Sequence, residues 1–174
     1  MRVSTFVIAI VLILAFADVS FPQTPDDGVI VPGERIGRWS LRLSFSKLAR
    51  MTGSEPLPFG PPDFRPGLRE FGWFHGPAAG LYAATRDGRR MEYLEAWLSS
   101  SGLASFKTAR DIGKDSTQEA VVAAYGASSI QMPHWRGGVR LIFDGSGLAV
   151  GIQEGKATRI TVFRPGSAKE IWRF

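Results

Sequence analysis

A short pattern of residues occurs twice in this chain, and it constrains the fold more than any other sequence feature. Ile-Gly, a small hydroxyl residue, an apolar-spaced segment and a closing Gly follow one another in residues 34–53 and again in 111–126. A second pair of landmarks, Gly80 to Gly88 and Gly147 to Gly155, recurs in the same order at one interval, since 147 − 80 equals 155 − 88. Landmarks repeated in order at a nearly constant offset indicate an internal duplication.

Each copy is predicted to begin with a short helix. In the first copy, Ser44 or Ser46 precedes a segment with helical apolar spacing. In the second copy, Ser116 and Glu119 have the spacing of a capping box, in which both side chains bond to exposed helix N–H groups. Both helices are too short to persist in water alone, so we expect each to pack on a sheet.

Alternating apolar runs predict three strands after each helix. Asp87-Gly88 and Glu154-Gly155 separate two of the runs in each copy, and acid-Gly pairs supply the positive φ of tight hairpins. Neither copy has enough apolar residues for a core of its own. The predicted fold is therefore α+β, with two fused helix–three-stranded-meander repeats forming one antiparallel sheet and the helices on one face. The predicted strands are residues 68–74, 81–86, 91–98, 139–143, 148–153 and 158–163.

The first 17 residues are predicted to be a signal peptide. Arg2 precedes an uncharged run from Phe6 to Phe16, and Ala15 and Ala17 provide the small residues of a cleavage site. That run is too short to span a bilayer. We therefore expect cleavage near Ala17 and export to the periplasm or the exterior. The predicted divisions are 1–17 signal peptide, 18–33 extended segment, 34–98 repeat 1, 99–111 linker, 112–166 repeat 2 and 167–174 C-terminal tail.

Composition argues against several functional classes. The chain has a net charge of +5, but its cations are interspersed with acids, so no basic block predicts nucleic-acid binding. It has no Cys, which excludes disulfides and a lipid-bearing cysteine. Neither His75 nor His134 has the neighbours of a metal or catalytic site, so we predict no catalytic residue, cofactor or metal. A hydrolase using either histidine with Asp144 is the least favoured alternative.

Strand alternation predicts which residues form a binding surface. One set of positions, including Leu81, Leu94 and Ile160, is expected to face the helices. The opposite set is rich in aromatic residues and arginine, the types enriched at binding hot spots. In the alternative, the N-terminal stretch, the proline-rich insert or the tail covers this face, or a homodimer buries it. The predicted partner-binding residues are Tyr82, Tyr93, Glu95, Trp97, Trp135, Arg140, Arg159 and Phe163.

The repeated motif also resembles a known group of envelope proteins. It is carried by Ile112-Gly113, Ser116, Gly126, Gly147, Gly155 and 160–163, with a weaker copy at Ile36-Gly37 and Gly53. This pattern resembles tandem-repeat bacterial envelope modules related to the beta-lactamase-inhibitor-protein fold, and is similar to outer-membrane assembly lipoproteins of the SmpA/OmlA type. The resemblance implies a concave sheet that binds protein and does no catalysis.

The sequence thus predicts an exported, non-catalytic module of inhibitor-like or assembly type. Its expected partner is another envelope or extracellular protein. The alternative is a structural subunit of an envelope complex, or a homodimer, in which the aromatic face is permanently buried.

Overall fold

The computed structural model describes residues 27–60, 67–133 and 137–172. Within these residues the chain forms twelve strands and three α-helices. The predicted signal peptide lies outside the described residues. In chain order the elements are β1 (Val29–Val31), β2 (Arg35–Ile36), β3 (Trp39–Ser40), α1 (Phe45–Thr52), β4 (Leu57–Phe59), β5 (Arg69–Gly72), β6 (Leu81–Thr85), β7 (Met91–Trp97), β8 (Lys107–Thr108), α2 (Gln118–Tyr125), β9 (Ile130–Pro133), β10 (Val139–Phe143), β11 (Leu148–Gln153), β12 (Lys156–Phe163) and α3 (Ala168–Trp172).

The main layer is an eight-stranded antiparallel sheet in the order β4-β5-β6-β7-β12-β11-β10-β9. Strands β7 and β12 pair at its centre, where Trp97 lies opposite Arg159 and Tyr93 opposite Phe163. The predicted α+β class and the antiparallel pairing are confirmed. β10 and β11 have the predicted bounds, whereas the edge strands β4 and β9 were not predicted.

A second, smaller sheet was also not predicted. It has the order β3-β2-β1-β8, and its β1 and β8 run parallel. Ile30, Ile36 and Trp39 from this sheet are fully buried in the same core as the large sheet. Strands of two or three residues are too short to show an alternating pattern, so sequence periodicity could not reveal them.

Helices α1 and α2 begin and end close to the predicted residues. Ser44 caps α1 by accepting a hydrogen bond from the Lys47 N–H, and Gly53 ends it at φ 71°. The cap of α2 differs from the prediction: Thr117, one residue beyond Ser116, accepts from the Ala120 N–H. The Ser116 hydroxyl instead accepts from the Gly113 N–H and closes the preceding turn.

The principal core lies between the large sheet and a layer that contains α1, α2 and the small sheet. Leu48 of α1 and Val121 of α2 are fully buried against it. The predicted inward register is confirmed, because every predicted inward residue belongs to this core. These residues are Leu81, Ala83, Leu94, Ala96, Leu148, Val150, Ile152, Ile160 and Val162.

Helix α3 lies on the other face of the large sheet, contrary to the expectation that helices cover one face only. Its Ile171 and Trp172 belong to a separate cluster with Tyr93, Phe163 and Ala149 of the sheet. The physical reason is that the part of this face around Tyr93 and Phe163 is itself apolar and aromatic. The segment predicted to be a C-terminal tail therefore buries it, as one of the sequence alternatives allowed.

Candidate functional site

We call the sheet face opposite α1 and α2 the outer face. The structure places seven of the eight predicted partner-binding residues on it, and Trp135 lies outside the described residues. The register shows this directly, because paired residues of antiparallel strands share a face. Tyr82 lies opposite Glu95, and Arg140 lies opposite Gly151, which in turn lies opposite Arg159.

Most of these side chains are buried within the chain itself. Trp97 is half-buried, and the other six are at most 7% exposed. The outer face is thus not a continuous open surface. It consists of three regions, namely a tail-covered region, a Glu95 centre and an aromatic patch.

The tail-covered region consists of Tyr93, Phe163 and the helix α3 that lies on them. The Trp172 ring is 4.9 Å from the Phe163 ring and 6.5 Å from the Tyr93 ring, measured between centroids. Two contacts hold α3 in place. The Asp144 carboxylate accepts from the Ala168 N–H at 3.0 Å, and the Arg86 guanidinium donates to the Glu170 carbonyl at 2.6 Å. This region is part of the protein's own core.

The Glu95 centre is a buried carboxylate that accepts hydrogen bonds from at least four donors, all of them within the described residues. Its Oε2 accepts from the Thr161 hydroxyl at 2.9 Å and from Arg140 at 3.1 Å. Its Oε1 accepts from the Trp97 indole N–H at 2.9 Å and from Arg159 at 3.4 Å. A charge this deeply buried is tolerated only when it is paired and hydrogen-bonded. Two guanidiniums and one carboxylate leave the centre with a net positive charge.

Aromatic rings flank the centre on both sides. The Arg159 guanidinium lies 4.0 Å from the centre of the Trp97 ring, and that of Arg140 lies 5.5 Å from the centre of the Trp172 ring. A guanidinium over an indole face is attracted by the ring quadrupole. The Glu95 centre is therefore the polar boundary between the tail-covered region and the aromatic patch.

The aromatic patch consists of Leu57, Phe59, Phe74, Tyr82 and Trp97. Tyr82 stacks on Trp97 with ring centroids 4.5 Å apart, and Phe59 contacts both rings edge-on at 4.7 and 5.7 Å. Leu57 is 51% exposed and Phe74 is 43% exposed. Exposed apolar side chains beside buried aromatic rings make this part of the outer face a candidate binding site.

Sequence reasoning placed Tyr82 and Trp97 in this patch but missed the other three residues. Leu57 and Phe59 lie on a three-residue strand whose pattern is too short to recognise. One local signal was available at Gly72, because a glycine within a strand often marks a close approach of another group. A Cβ at Gly72 would lie 2.6 Å from the Tyr82 ring, so the glycine leaves room for that ring.

Two of the three residues of the hydrolase alternative, His75 and Asp144, lie in the described structure. His75 is exposed between β5 and β6, and its carbonyl oxygen accepts from the Ser54 hydroxyl at 3.4 Å. Asp144 binds the first N–H of α3, and His134 lies outside the described residues. In the described parts of the chain, no three acidic or histidine side chains are grouped as a metal site would need. Nor is any described helix both long and apolar enough for a membrane crossing.

By its fold the chain is an α+β protein. Its large antiparallel sheet is covered on one face by two helices and a small sheet. The other face is partly covered by the chain's last helix. No family model matches this chain, and no curated protein or solved structure matches it either. The resemblance to the inhibitor-type and assembly-type envelope modules therefore stays a prediction.

Proposed function

We propose that this protein is an exported, non-catalytic protein-binding module and that its partner docks on the aromatic patch. The partner would be another envelope or extracellular protein, bound in an inhibitor-like or assembly role. This proposal narrows the predicted surface, because Tyr93 and Phe163 serve the core whereas Tyr82 and Trp97 border the exposed patch.

The observation that carries the proposal is the arrangement of Leu57 and Phe74 over buried aromatic rings. The Phe74 ring lies 5.8 Å from the Tyr82 ring, and Leu57 is on the same face, opposite the Gly72 that pairs with Tyr82. Tyr82 and Trp97 stack on each other, and their positions are set by β6 and β7. A rigid aromatic base loses little conformational entropy when a partner binds. An exposed apolar rim over such a base favours a docking site over a merely solvated sheet edge.

Charge suggests the chemistry of the partner. The chain has a net charge of +5, and the Glu95 centre beside the patch has one more cation than anion. Complementary charge mainly raises the association rate and the specificity of binding. We expect the partner to insert an apolar side chain flanked by carboxylates.

We also infer that the two halves of the chain arose as copies of one unit. In support, α1 precedes the four strands β4–β7, and α2 precedes the four strands β9–β12. Their last strands, β7 and β12, pair antiparallel at the centre of the sheet. Either half on its own would leave its last strand, β7 or β12, without its central pairing partner.

A structural subunit or a homodimer is the second candidate, and one observation favours it. The apolar side chains of Leu57 and Phe74 are exposed in the single chain, and a permanent neighbour would bury them. In that case the patch would be covered by a constitutive neighbour and not by an exchanging partner. Analytical ultracentrifugation of the purified chain separates a homodimer from a monomer.

The proposal is tested by crosslinking and capture from the native envelope. The variant Leu57→Ser/Phe74→Ser removes the exposed apolar rim, and Val122→Ser is the matched control because Val122 is 38% exposed on α2, behind the opposite face. We expect wild type and Val122→Ser to capture the same protein, and the double variant to lose it while unfolding at a similar temperature. Equal capture by all three proteins would exclude the patch as the docking site.

A further inference from the structure

A cleft lined by four arginines shares no residue with the aromatic patch or the Glu95 centre. Its volume is about 380 Å³, within the range of small-molecule sites. It is lined by the loop before α1, the turn before β7, the first residue of β7 and the residue after β12. Its polar lining is Arg42, Ser44, Arg89, Arg90 and Arg164, and its apolar lining is Leu41, Leu43 and Met91.

The loop that supplies Arg89 and Arg90 is held by a network of hydrogen bonds. The Asp87 carboxylate accepts from the N–H groups of both arginines at 2.8 and 2.9 Å. These hydrogen bonds lower the pKa of Asp87, so its carboxylate stays ionised and bonded. The Arg89 carbonyl accepts from the Phe45 N–H at 2.9 Å, which joins the loop to the start of α1. The two arginines therefore project from an ordered turn.

The positive charge of the cleft is only partly compensated. Glu92 pairs with Arg164 at 3.0 Å and with Arg86 at 3.7 Å. Across the parts of the chain that the structure describes, no carboxylate forms an ion pair with the guanidinium of Arg42, Arg89 or Arg90. Three arginines thus line one concave site, and none of the three forms an ion pair with a described acid.

We propose that this cleft binds the phosphoryl group of a phosphate monoester. A guanidinium presents a planar fork of donors that matches phosphate oxygens in pairs. A phosphate monoester offers three terminal oxygens, so it can engage three or four such forks, whereas a carboxylate has only two oxygens. The apolar residues Leu41, Leu43 and Met91 contact the organic part of the ligand. The proposal does not depend on the proposed function, because no residue of the cleft belongs to the aromatic patch or the Glu95 centre.

The same phosphoryl group could belong to a soluble metabolite or to a lipid headgroup, and two assays separate these sources. In the first, glycerol 3-phosphate is titrated into the full chain by calorimetry. In the second, the chain is sedimented with phosphatidylcholine vesicles that contain or lack phosphatidic acid. The test variant is Arg89→Gln/Arg90→Gln, with Arg42→Gln as an independent second variant. The matched control is Lys114→Gln/Lys156→Gln, which removes the same charge from exposed positions outside the cleft.

We expect saturable binding in at least one assay, at least tenfold weaker in the arginine double variant and unchanged in the lysine control. Binding of glycerol 3-phosphate assigns a soluble ligand, and binding to phosphatidic acid vesicles alone assigns a headgroup. The proposal is overturned if neither probe binds, or if the lysine control loses affinity as much as the arginine variant does. The proposal is also overturned if the dicarboxylate glutarate, at equal concentration, displaces the bound phosphate probe, since the site would then not select phosphate.

Discussion

The tail-covered region and the aromatic patch lie on one face of one sheet, yet they differ in what covers them. At Tyr93 and Phe163 the chain supplies its own cover, since Trp172 of α3 seals both rings. At the aromatic patch, Leu57 is 51% exposed to solvent and Phe74 is 43% exposed. Aromatic residues of the same types thus have opposite roles a few strands apart. Residue type alone therefore does not distinguish a binding surface from a core.

The Glu95 centre separates these two regions and is itself costly to bury. Burying two arginines and one carboxylate costs desolvation free energy. This cost is offset because each carboxylate oxygen accepts hydrogen bonds from two donors. Its contribution to net stability is small, but removing one member takes a hydrogen-bond or ion-pair partner away from the others. Substitutions in the three regions should therefore have effects of clearly different size.

The largest effect is expected from Phe163→Ala in the tail-covered region. Phe163 is fully buried in a central strand, so the substitution should lower the free energy of unfolding by about 4 kcal/mol. Urea denaturation followed by circular dichroism measures it. A loss below about 1 kcal/mol would mean that α3 does not seal this region.

Glu95→Gln should come next and lower the free energy of unfolding by about 3 kcal/mol, because it removes the carboxylate that pairs with the buried guanidiniums of Arg140 and Arg159. Glu92→Gln is the control: Glu92 is also buried, but its partners Arg86 and Arg164 are partly exposed and can be hydrated. In the same urea assay, we expect the control to lower the free energy of unfolding by about 1 kcal/mol. Equal losses would show that the Glu95 centre is no more desolvated than a surface pair.

Phe74→Ala should lower the free energy of unfolding by about 1 kcal/mol or less, because the ring is already partly in water. Phe74→Ala and Phe163→Ala remove the same atoms. The difference between their losses of unfolding free energy therefore measures how much the covering of the Phe163 ring contributes. A loss at Phe74 as large as that at Phe163 would show that the patch is also core.

The smallest effect is expected at the ion pair of Asp27 and Arg35, whose side chains are partly exposed. The hydrogen bond from Arg35, aided by the Val29 N–H, lowers the pKa of Asp27 to about 2. A lowered folded-state pKa stabilises the protein above the ordinary value of 3.8 and loses this contribution as the pH falls through about 2. Asp27→Asn should therefore cost about 0.5 kcal/mol at pH 7 and only a small fraction of that at pH 2, where the folded-state carboxyl is half protonated. A loss that is undiminished at pH 2 would point to hydrogen bonding and not to charge.

Periodicity predicted much of this architecture, including the bounds of β10 and β11 and the register that assigns Leu94 to the core and Tyr93 to the outer face. It could not predict β4, β9 or the small sheet, since strands this short carry too little pattern. It also could not decide what covers each region. The position of α3 depends on tertiary contacts, such as Asp144 to Ala168, that join residues far apart in the chain.

The central claim, that one region of the outer face is sealed by the chain while the other is open, is tested most directly by thiol accessibility. The chain has no cysteine, so the single variants Leu57→Cys and Ala84→Cys each carry one thiol. Leu57 lies in the aromatic patch, and Ala84 is fully buried in the tail-covered region, in one cluster with Tyr93 and Phe163. In the folded protein we expect the thiol at 57 to react with a maleimide at nearly the rate of an unfolded control. The thiol at 84 should react at least a hundredfold more slowly. Equal rates at the two positions, whether both fast or both slow, would contradict the division of the outer face.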